Sequence, residues 1–355
     1  MKKAVTIKDI AEQLNLSRNT VAKALNGQYV PESTRNTVIK KAREMNYKGL
    51  NANPTEAESR KYRILLVSGK PLININYFIP LIKGIENYCF EKHYELFQYT
   101  FNKDRTPFSD FSEYVKSLKP NGVVAIECFN RAFIEKLINI GLPVVFNDFT
   151  VNDLAINRGY DIISADDERA VYSIVKMLHS KFNIKKFTFI GDAKHCRSFH
   201  ERYMGMLKGI ITIGAEHHKT DDILCGDESF DYGNPHAIQT EILKLKFKPE
   251  CFICCNDFVA RTVCKALENL GTRVPADALV VGFDNVSEAV SMYPEITSFS
   301  INKDFLGRET MRNLVSRIEN PDCPTRMITI RTNCVQRAST DRYQNEANKC
   351  ELITI

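Results

Sequence analysis

The stretch VTIKDIAEQLNLSRNTVAKALNG, residues 5–27, decides the fold of the amino-terminal part of this chain. Thr6 and Asp9 have the spacing of a capping box at the start of a helix. Apolar residues then recur at helical spacing. The chain turns near Asn15, and Ser17 is placed to cap a second helix. The pattern predicts two short helices joined by a tight turn.

The second predicted helix has an apolar side and a polar side. The side chains predicted to face inward are Val21, Ala22 and Leu25. The side chains left outside are Arg18, Asn19 and Lys23. Arg and Lys suit the edge of guanine, and Asn suits that of adenine. We therefore interpret residues 5–27 as a helix-turn-helix whose recognition helix spans 17–25. An ordinary pair of basic surface helices is the alternative.

A third amphipathic helix is predicted within VPESTRNTVIKKAREMNY, residues 30–47. Its apolar side would hold Val38, Ala42 and Met45, and its basic side Lys40, Lys41 and Arg43. Residues 1–50 contain ten Lys and Arg against four Asp and Glu, although the whole chain has a net charge of only +5. The positive charge is thus concentrated at one end, as attraction to DNA phosphates requires.

Length and composition limit the classes of protein to consider. At 355 residues the chain is longer than one typical domain, so we expect two or three. It is 44% hydrophobic and 26% charged, which is typical of soluble proteins. No stretch approaches the ~20 apolar residues of a membrane span. The eleven cysteines lack the spacing of a disulfide framework, which favours the reducing cytoplasm.

From residue 62 onward, apolar runs alternate with amphipathic segments, which predicts an α/β fold with parallel sheets covered on both faces. The runs predicted as strands are 62–69, 122–128, 142–148, 185–192, 250–257, 278–284 and a last one at 326–337. The predicted helices include 78–93, 131–140, 168–181, 200–213, 235–245 and 259–270. About 280 residues of this pattern are expected to form two lobes, with a ligand cleft between them.

Polar side chains stand at the carboxyl ends of several predicted strands. They are Asp148, Asn256, Asp257 and Asp284, and Arg202 is expected at the start of the helix after 185–192. Carboxylates, an amide and a guanidinium can bind vicinal hydroxyls, so a sugar or nucleoside fits this set. The alternative is that such residues cap the next helix, which we favour for Asp257. Aromatic side chains that could stack on a ligand ring, or simply fill the core, are Tyr77, Phe78, Phe230 and Phe283.

Metal, cofactor and catalytic motifs are weak. Cys251, Cys254 and Cys255 lie in a predicted strand, where we expect buried structural thiols and no zinc site. His217 and His218, with Asp221 and Asp222, are expected in a solvated loop. Neither G-x-x-x-x-G-K-[ST] nor a G-x-G-x-x-G after a strand is present, and we predict neither a cofactor nor an enzyme.

The motifs of the first helices resemble the DNA-binding head of the lactose-repressor (LacI/GalR) family of bacterial transcription regulators. The matching pieces are T-I-K-D-I-A (6–11), L-S-x-x-T-V (16–21), L-N-G (25–27) and T-R-x-x-V (34–38). The resemblance continues to about residue 340 through S-x-x-x-R-x-x-G (198–205), N-D-x-x-A (256–260), V-G-F-D-N (281–285) and P-x-I-T-S (294–298). The fold it implies is a three-helix head followed by a two-lobed, periplasmic-binding-protein-like core.

The resemblance also implies site residues. Arg18, Asn19 and Lys23 sit where the family reads operator bases, and Ser17 and Thr20 where it grips phosphate. We include Thr6 and Asn26 of the matched motifs in the DNA-binding set. In the core, Arg202 and Asp284 would clamp effector hydroxyls, with Asp148, Ser198 and Asn256 beside them. Phe78 and Phe230 complete the predicted effector-binding set.

The chain departs from the family pattern at two places. The polar stretch 48–61 is a linker where the family usually has a hinge helix with a Leu wedge, but here Glu56 holds the wedge position and Pro54 lies inside. Leu50 is the substitute wedge to consider. Ile301 replaces the polar residue typical of sugar binders.

The predicted organisation is a head at 1–48, a linker at 49–61, a two-lobed core at 62–340 and a polar tail at 341–355. We expect a homodimeric repressor that binds a pseudo-palindromic DNA operator under the control of a small, sugar-like effector. A constitutive or architectural DNA-binding protein with a vestigial cleft is the alternative, because the linker is atypical.

Overall fold

The structure, a computed structural model, describes residues 5–25, 30–45, 47, 62–69, 75–101, 108–150, 159–217, 221–224, 230–291 and 293–342. The chain divides into two compact units, Met1–Lys61 and Tyr62–Ile355, called here the head and the core. The predicted linker with Leu50, Pro54 and Glu56 lies outside the described residues, as do positions 343–355 of the tail.

The head contains the three expected helices, α1 (Ile7–Leu14), α2 (Arg18–Leu25) and α3 (Glu32–Glu44). Their common core is formed by Ile10, Ala11, Val21, Ala24, Val38 and Ala42. The prediction for Ala22 is wrong in detail, because Ala24 is buried in α2 whereas Ala22 and Leu25 are only half-buried. Ala22 lies about 100° around the helix from Val21, but Ala24 lies about 60° away.

Both predicted helix caps of the head are present. Thr6 and Asp9 form a reciprocal capping box, in which the Thr6 amide donates to Asp9 Oδ2 at 2.7 Å. Asn15 ends α1 in a left-handed conformation with φ of 53°. Ser17 Oγ then accepts from the Thr20 amide at 3.0 Å and opens α2. The turn between the helices is therefore set by local side chains.

The amino-terminal lobe of the core contains a six-stranded sheet in the order β10-β5-β4-β3-β1-β2, with every neighbouring pair parallel. Its strands are β1 (Arg63–Ser68), β2 (Glu95–Thr100), β3 (Gly122–Ile126), β4 (Val144–Asn147), β5 (Tyr160–Ala165) and β10 (Met327–Ile330). Its helices are α4 (Ile75–Glu91), α5 (Phe108–Leu118), α6 (Arg131–Asn139) and α11 (Lys303–Glu319).

The carboxyl-terminal lobe contains a parallel sheet in the order β6-β7-β8 and a short antiparallel pair, β9 with β11. Its strands are β6 (Phe187–Ile190), β7 (Cys251–Cys254), β8 (Leu279–Val281), β9 (Ser298–Ser300) and β11 (Asn333–Val335). Its helices are α7 (Asp167–Phe182), α8 (Arg197–Thr212), α9 (Pro235–Lys244) and α10 (Asp257–Asn269). The chain passes between the lobes near residues 166, 301 and 331.

Both faces of the larger sheet are covered, as the unbroken apolar runs predict. Along β1, Leu65 and Val67 belong to one hydrophobic cluster, whereas Ile64 and Leu66 belong to the cluster on the opposite face. Side chains alternate between the faces of a strand, so a strand that is apolar throughout must be buried on both sides. This double covering places the ligand-accessible edge at the carboxyl ends of the strands.

Six of the seven predicted strands are found within their predicted runs, but the last one is wrong. The run 326–337 contains two strands, β10 and β11, which pair in different lobes on either side of Arg331 and Thr332. The sequence pattern does not indicate β5, because its Asp161 interrupts the apolar run. That carboxylate is fully buried and pairs with Arg317 of α11 at 2.6 Å.

Candidate functional site

The polar face of α2 presents the three predicted base-reading side chains to solvent. Arg18, Asn19 and Lys23 are exposed, while Val21 and Ala24 on the other side of the helix are buried. Amphipathic packing therefore fixes the direction in which the cationic and amide groups point. An α-helix with such a face has the dimensions of the DNA major groove.

The remaining predicted DNA-binding residues have local partners. The hydroxyls of Ser17 and Thr20 lie 2.8 Å apart at the start of α2, and both are reachable from solvent. The Thr6 hydroxyl donates to Asp9 Oδ2 at 2.8 Å within the capping box. Asn26 lies outside the described residues.

In the core, a cavity of about 340 Å³ opens between the two lobes at the carboxyl ends of their strands. Six of the seven predicted effector residues line it: Phe78, Asp148, Ser198, Arg202, Asn256 and Asp284. Further lining residues are Tyr77, Glu127, Phe129, Asn147, His195 and Phe199. The cavity therefore combines aromatic rings with carboxylates, amides and one guanidinium.

Arg202 is held rigidly at the floor of the cavity and is only 5% exposed. Its Nε donates to Asp167 Oδ1 at 2.7 Å, its Nη1 to the Cys255 carbonyl at 2.5 Å, and its Nη2 to Asp284 Oδ1 at 3.4 Å. The guanidinium lies 3.7 Å from the centre of the Phe283 ring. Arg202 lies in the second turn of α8 and not at its start as predicted, because the helix begins at residue 197.

Asp284 follows β8 with its backbone in a left-handed conformation, at φ of 97°. Its amide donates to the Phe299 carbonyl at 3.0 Å, and its own carbonyl accepts from Lys303 Nζ at 2.6 Å. These main-chain bonds fix the residue while leaving its carboxylate on the cavity wall. A side chain so positioned can accept hydrogen bonds from a ligand.

Asp148 connects the lobes. It follows β4 of the amino-terminal lobe, and its Oδ2 accepts from Ser198 Oγ of α8 at 2.5 Å. Its Oδ1 accepts from the amides of Ser198 at 3.2 Å and Phe149 at 2.7 Å. The amide of Arg197 donates to the Phe149 carbonyl at 2.8 Å. This side of the cleft is therefore held by hydrogen bonds between the lobes.

The capping role expected for Asp257 belongs to its neighbour. Asn256 Oδ1 accepts from the Val259 amide at 3.0 Å and caps α10, while the same residue lines the cavity. Asp257 is fully buried and accepts from the Ser298 hydroxyl at 2.6 Å and the Val286 amide at 3.0 Å. The prediction that Asp257 caps the helix is wrong, because the residue before the first helical turn is the one with an extended backbone.

Two of the predicted aromatic residues, Phe230 and Phe283, are not among the described residues that line the cavity. Phe230 packs against Tyr232, with ring centres 4.7 Å apart, at the edge of the carboxyl-terminal core. Phe283 is buried beneath Arg202 and stacks on Phe299. Ile301 is likewise buried, in the core of the amino-terminal lobe.

Burial shifts the pKa values of groups around the cavity. Desolvation raises the pKa of Asp167 to about 7, against the opposing effect of Arg202. Burial also raises the pKa of Tyr77, with a further increase from the charges of Asp284 and Asp148. Desolvation lowers the pKa of Lys303. The polar groups of the cleft thus lie in a region of low dielectric, where hydrogen bonds to a ligand are strong.

Glu127 and Asn147 line the cavity but are not among the predicted site residues. Both stand at carboxyl ends of strands, Glu127 after β3 and Asn147 as the last residue of β4. A polar residue at the carboxyl end of a strand is the signal that points to Asp148, and it applies to both of these residues. The signal is hidden because they lie within or directly beside apolar runs. His195 precedes the S-x-x-x-R motif and Phe199 lies within it, and neither carries a signal of its own.

The candidate metal residues have structural roles. Cys251, Cys254 and Cys255 are buried, as expected for strand thiols. The expectation of a solvated loop is wrong for His217, whose side chain is 7% exposed and lies 2.9 Å from the buried Asp222 carboxylate. Within the described ranges, no group of three or more His, Cys, Asp or Glu could hold a metal ion. No helix in the same ranges is long and apolar enough to cross a membrane.

Comparison with known proteins gives a consistent result. A family model described as a periplasmic binding protein-like domain matches residues 175–340. The HTH-type transcriptional repressor PurR of Mannheimia succiniciproducens is 25% identical over 346 residues, which cover 95% of this chain and 99% of that protein. The ribose operon repressor of Haemophilus influenzae is 24% identical over 337 residues, or 94% of this chain and 98% of that protein.

Solved structures of regulators share the fold. The transcriptional regulator CelR in complex with cellobiose superimposes with a TM-score of 0.67 at 19% identity, covering 94% of this chain and 99% of that one. The lac repressor dimer bound to operator and an anti-inducer gives a TM-score of 0.61 at 17% identity, covering 95% and 99%. The head motifs, the two-lobed core and the full-length similarities agree. The chain is a transcription regulator and not an enzyme, and it is similar over almost its whole length to repressors of the lactose-repressor (LacI/GalR) type.

Proposed function

We propose that this protein is a repressor that binds a pseudo-palindromic operator as a homodimer, and that a small sugar-like molecule bound between its lobes sets its affinity for DNA. The observation that carries the proposal is the presence, in one chain, of an outward-facing Arg18, Asn19 and Lys23 and of a polar cavity between two lobes. The first supplies DNA contacts, and the second supplies a site that a metabolite can occupy.

In the proposed DNA complex, α2 enters the major groove. Arg18 and Lys23 donate to guanine edges, and Asn19 pairs with adenine. Ser17 and Thr20, with Thr6 and Asn26, contact the backbone and fix the register of the helix. One such head buries little surface and reads few bases, so useful specificity requires two heads on two half-sites.

The proposed homodimer is also supported by the core. Large apolar side chains stand exposed on three of its helices: Phe90 on α4 is 83% exposed, Ile211 on α8 is 77% exposed and Leu243 on α9 is 68% exposed. Exposed apolar groups of this size on helix faces favour contact with another protein surface. A second copy is the partner that a two-fold operator requires.

The proposed effector is polyhydroxylated. Asp284 offers a carboxylate to ligand hydroxyls, and Asn256 and Asn147 add amide groups. Tyr77 and Phe78 offer rings to the apolar face of a sugar. Among similar proteins, one is the ribose operon repressor, and one solved structure is a complex with cellobiose. These polar and aromatic groups also favour a working cleft over a vestigial one.

Capture of fragmented source-genome DNA by the purified protein, followed by sequencing, tests the proposal. We expect a pseudo-palindromic site upstream of an operon for transport or breakdown of a small metabolite. The Lys23→Ala variant should not enrich that site, whereas Lys116→Ala, an exposed lysine of the core, should enrich it as the wild type does.

The capture also separates the alternatives. DNA recovered evenly across the genome would instead identify an architectural binder. Two results would contradict the homodimeric repressor. One is the recovery of no DNA, and the other is a recovered site that has a single half-site and binds a single head.

A further inference from the structure

Asn147 is a polar residue at a place where the sheet favours an apolar one. It is the last residue of β4, and its neighbours in register are Ile126 of β3 and Ile163 of β5. Both isoleucines, and Val145 two residues earlier in β4, belong to the hydrophobic cluster on one face of the larger sheet. Because side chains two residues apart on a strand share a face, the Asn147 amide lies on that same apolar face.

The Asn147 amide is buried and unsatisfied. The residue is 5% exposed, and its Nδ2 has no hydrogen-bond partner among the residues that the structure describes. A buried donor without an acceptor lowers stability, whereas an apolar group of the same shape in its place would not. The folded protein therefore gains nothing from an amide at this position, and a partner from outside the chain would explain its presence.

The same amide lines the cavity between the lobes, beside Ile126 and Phe78 of the apolar cluster. Water in the ligand-free cavity can accept from Nδ2, but an effector that fills the cavity displaces that water. A ligand that displaces it must offer an acceptor of its own or lose affinity. A hydroxyl is such an acceptor, and Ile126 and Phe78 can cover the apolar face of the sugar that carries it.

Neighbouring polar groups of the cavity wall are already bound within the protein. The Asp148 carboxylate accepts from the Ser198 hydroxyl at 2.5 Å and from the Phe149 amide at 2.7 Å. Asn256 Oδ1 accepts from the Val259 amide at 3.0 Å and caps α10. A substitution at either residue would disturb the lobes or the helix as well as the ligand. Asn147 Nδ2 has no such bond to lose, so its hydrogen-bonding capacity is left for the ligand.

We propose that Asn147 is a specificity-determining residue, whose amide forms a hydrogen bond with one hydroxyl of a sugar bound between the lobes. This inference rests on the proposed function, because it assigns a contact to the effector of the same cleft. A sugar that lacks this hydroxyl would leave the buried amide unsatisfied, so the site should reject it. Asn147 thus lowers the stability of the empty protein in exchange for recognition of one hydroxyl.

The melting temperature of the ligand-free full chain is the first test. Asn147→Leu replaces the amide by an apolar group of similar shape, and we expect it to raise the melting temperature by about 2–4 °C. Asn147→Val is a second variant, because a β-branched residue suits a strand even if leucine packs poorly there. A melting temperature below that of the wild type in both variants would give the amide a structural role and overturn the proposal.

Isothermal titration calorimetry of the full chain is the second test, with D-ribose, D-glucose, D-xylulose and cellobiose as probes. The sugar that binds most tightly is then compared with its monodeoxy analogues. The wild type should bind one of these analogues about tenfold more weakly than the parent sugar. Asn147→Leu should bind the parent about tenfold more weakly than the wild type does, and should distinguish it from that analogue by less than about threefold.

The control is Asn139→Leu, the same chemical change at the exposed last residue of α6 in the same lobe. It should keep both the affinity of the wild type for the parent sugar and its preference over the deoxy analogue. A matching loss in the control would show that the effect does not come from the cavity, and would overturn the proposal.

Unchanged affinity of Asn147→Leu for the parent sugar would also overturn the proposal, and so would the absence of binding by all four sugars. Failure of the proposed function is recognised separately, because the genomic capture of an operator involves no sugar. A recovered palindrome together with unchanged sugar binding by Asn147→Leu would keep the repressor and reject the role of Asn147. Loss of the preference without a recovered operator would do the reverse.

Discussion

Three residues that line the cleft share an uncommon backbone conformation. Glu127, Asp148 and Asp284 have φ values of 55°, 64° and 97°, in the left-handed region that side chains with a Cβ rarely adopt. Each such residue costs on the order of 1 kcal/mol and persists only where its surroundings hold it. All three are carboxylates at strand ends, so the strain aims charged groups at the cavity.

Asp257 is a buried acid whose charge should make stability depend on pH. Burial, assisted by the charge of Asp284, raises its pKa to about 7, above the ordinary value of about 4 that it has in the unfolded chain. Between these values the folded protein holds a proton that the unfolded chain has lost. The free energy of unfolding should therefore fall as pH rises from 4 to 7, by up to about 1.4 kcal/mol per pH unit from this group.

Asp257→Asn should remove that contribution, because the amide does not titrate. The variant should gain stability relative to the wild type as pH rises, and urea unfolding at pH 5, 6 and 7 measures the difference. Asp322→Asn changes an exposed aspartate and should follow the wild-type curve. Parallel curves for the wild type and Asp257→Asn would show that the buried carboxylate does not bind a proton in this range.

The sequence identifies a residue of the site when its side chain has suitable chemistry and it also stands at the end of a strand or in a motif. Asp148 and Asp284 stand at the ends of strands, and Arg202 belongs to a recognisable motif, and all three line the cavity. Only its residue type points to Phe230, and it packs elsewhere because a ring fills a core as readily as it stacks on a ligand. Glu127 shows the converse, since its direction depends on a backbone angle that no sequence pattern indicates.

At the level of elements, α4 and α11 cross with their backbones almost in contact. A Cβ added to Gly307 of α11 would lie 2.2 Å from the carbonyl oxygen of Leu81, and one added to Gly84 of α4 would lie 2.1 Å from that of Asp304. Each helix thus uses a glycine at the point where the other passes. The helices cover one face of the larger sheet, so their separation sets the position of Lys303 and of the cleft beside it.

Gly307→Ala should force the two helices apart, because the obstructing atoms are backbone and cannot rotate away. We expect a loss of about 1–3 kcal/mol in the free energy of unfolding, as is typical of an overpacked core. Urea denaturation followed by circular dichroism gives the value. Gly159→Ala is the matched control, since its nearest neighbour is the Thr325 methyl at an ordinary 3.6 Å. A Gly307→Ala protein as stable as that control would disprove the close approach.

Helices and strands can be predicted from the sequence where apolar periodicity dominates. The prediction fails where tertiary contacts decide the local structure. The six confirmed strands are apolar runs buried on both faces. The sequence does not predict β5 or α11, which carry a buried ion pair, Asp161 with Arg317, in place of apolar residues. The run 326–337 predicts one strand, because no local signal marks the point where the chain changes lobes.

At the scale of the whole molecule, the core is a pair of lobes whose closure is already supported by direct bonds. Asp148 accepts from Ser198, and the Phe149 carbonyl accepts from the Arg197 amide, both across the cleft. A ligand shifts such an equilibrium only by the difference in its affinity for the two states. An effector must therefore contact residues of both walls for closure to be coupled to DNA binding.

If the head binds DNA and the core binds the effector, Lys23→Ala should impair DNA binding and leave effector binding intact. Loss of a base contact should cost about 1–3 kcal/mol on the operator but much less on a scrambled duplex, where only phosphate attraction remains. Fluorescence anisotropy with both duplexes at one salt concentration measures the two affinities. Lys116→Ala on the core should change neither affinity. Because the Lys23 side chain is exposed, the unfolding midpoint should stay unchanged. Equal losses on the two duplexes would assign Lys23 to phosphate contact, and the reading of operator bases would then depend on Arg18 and Asn19.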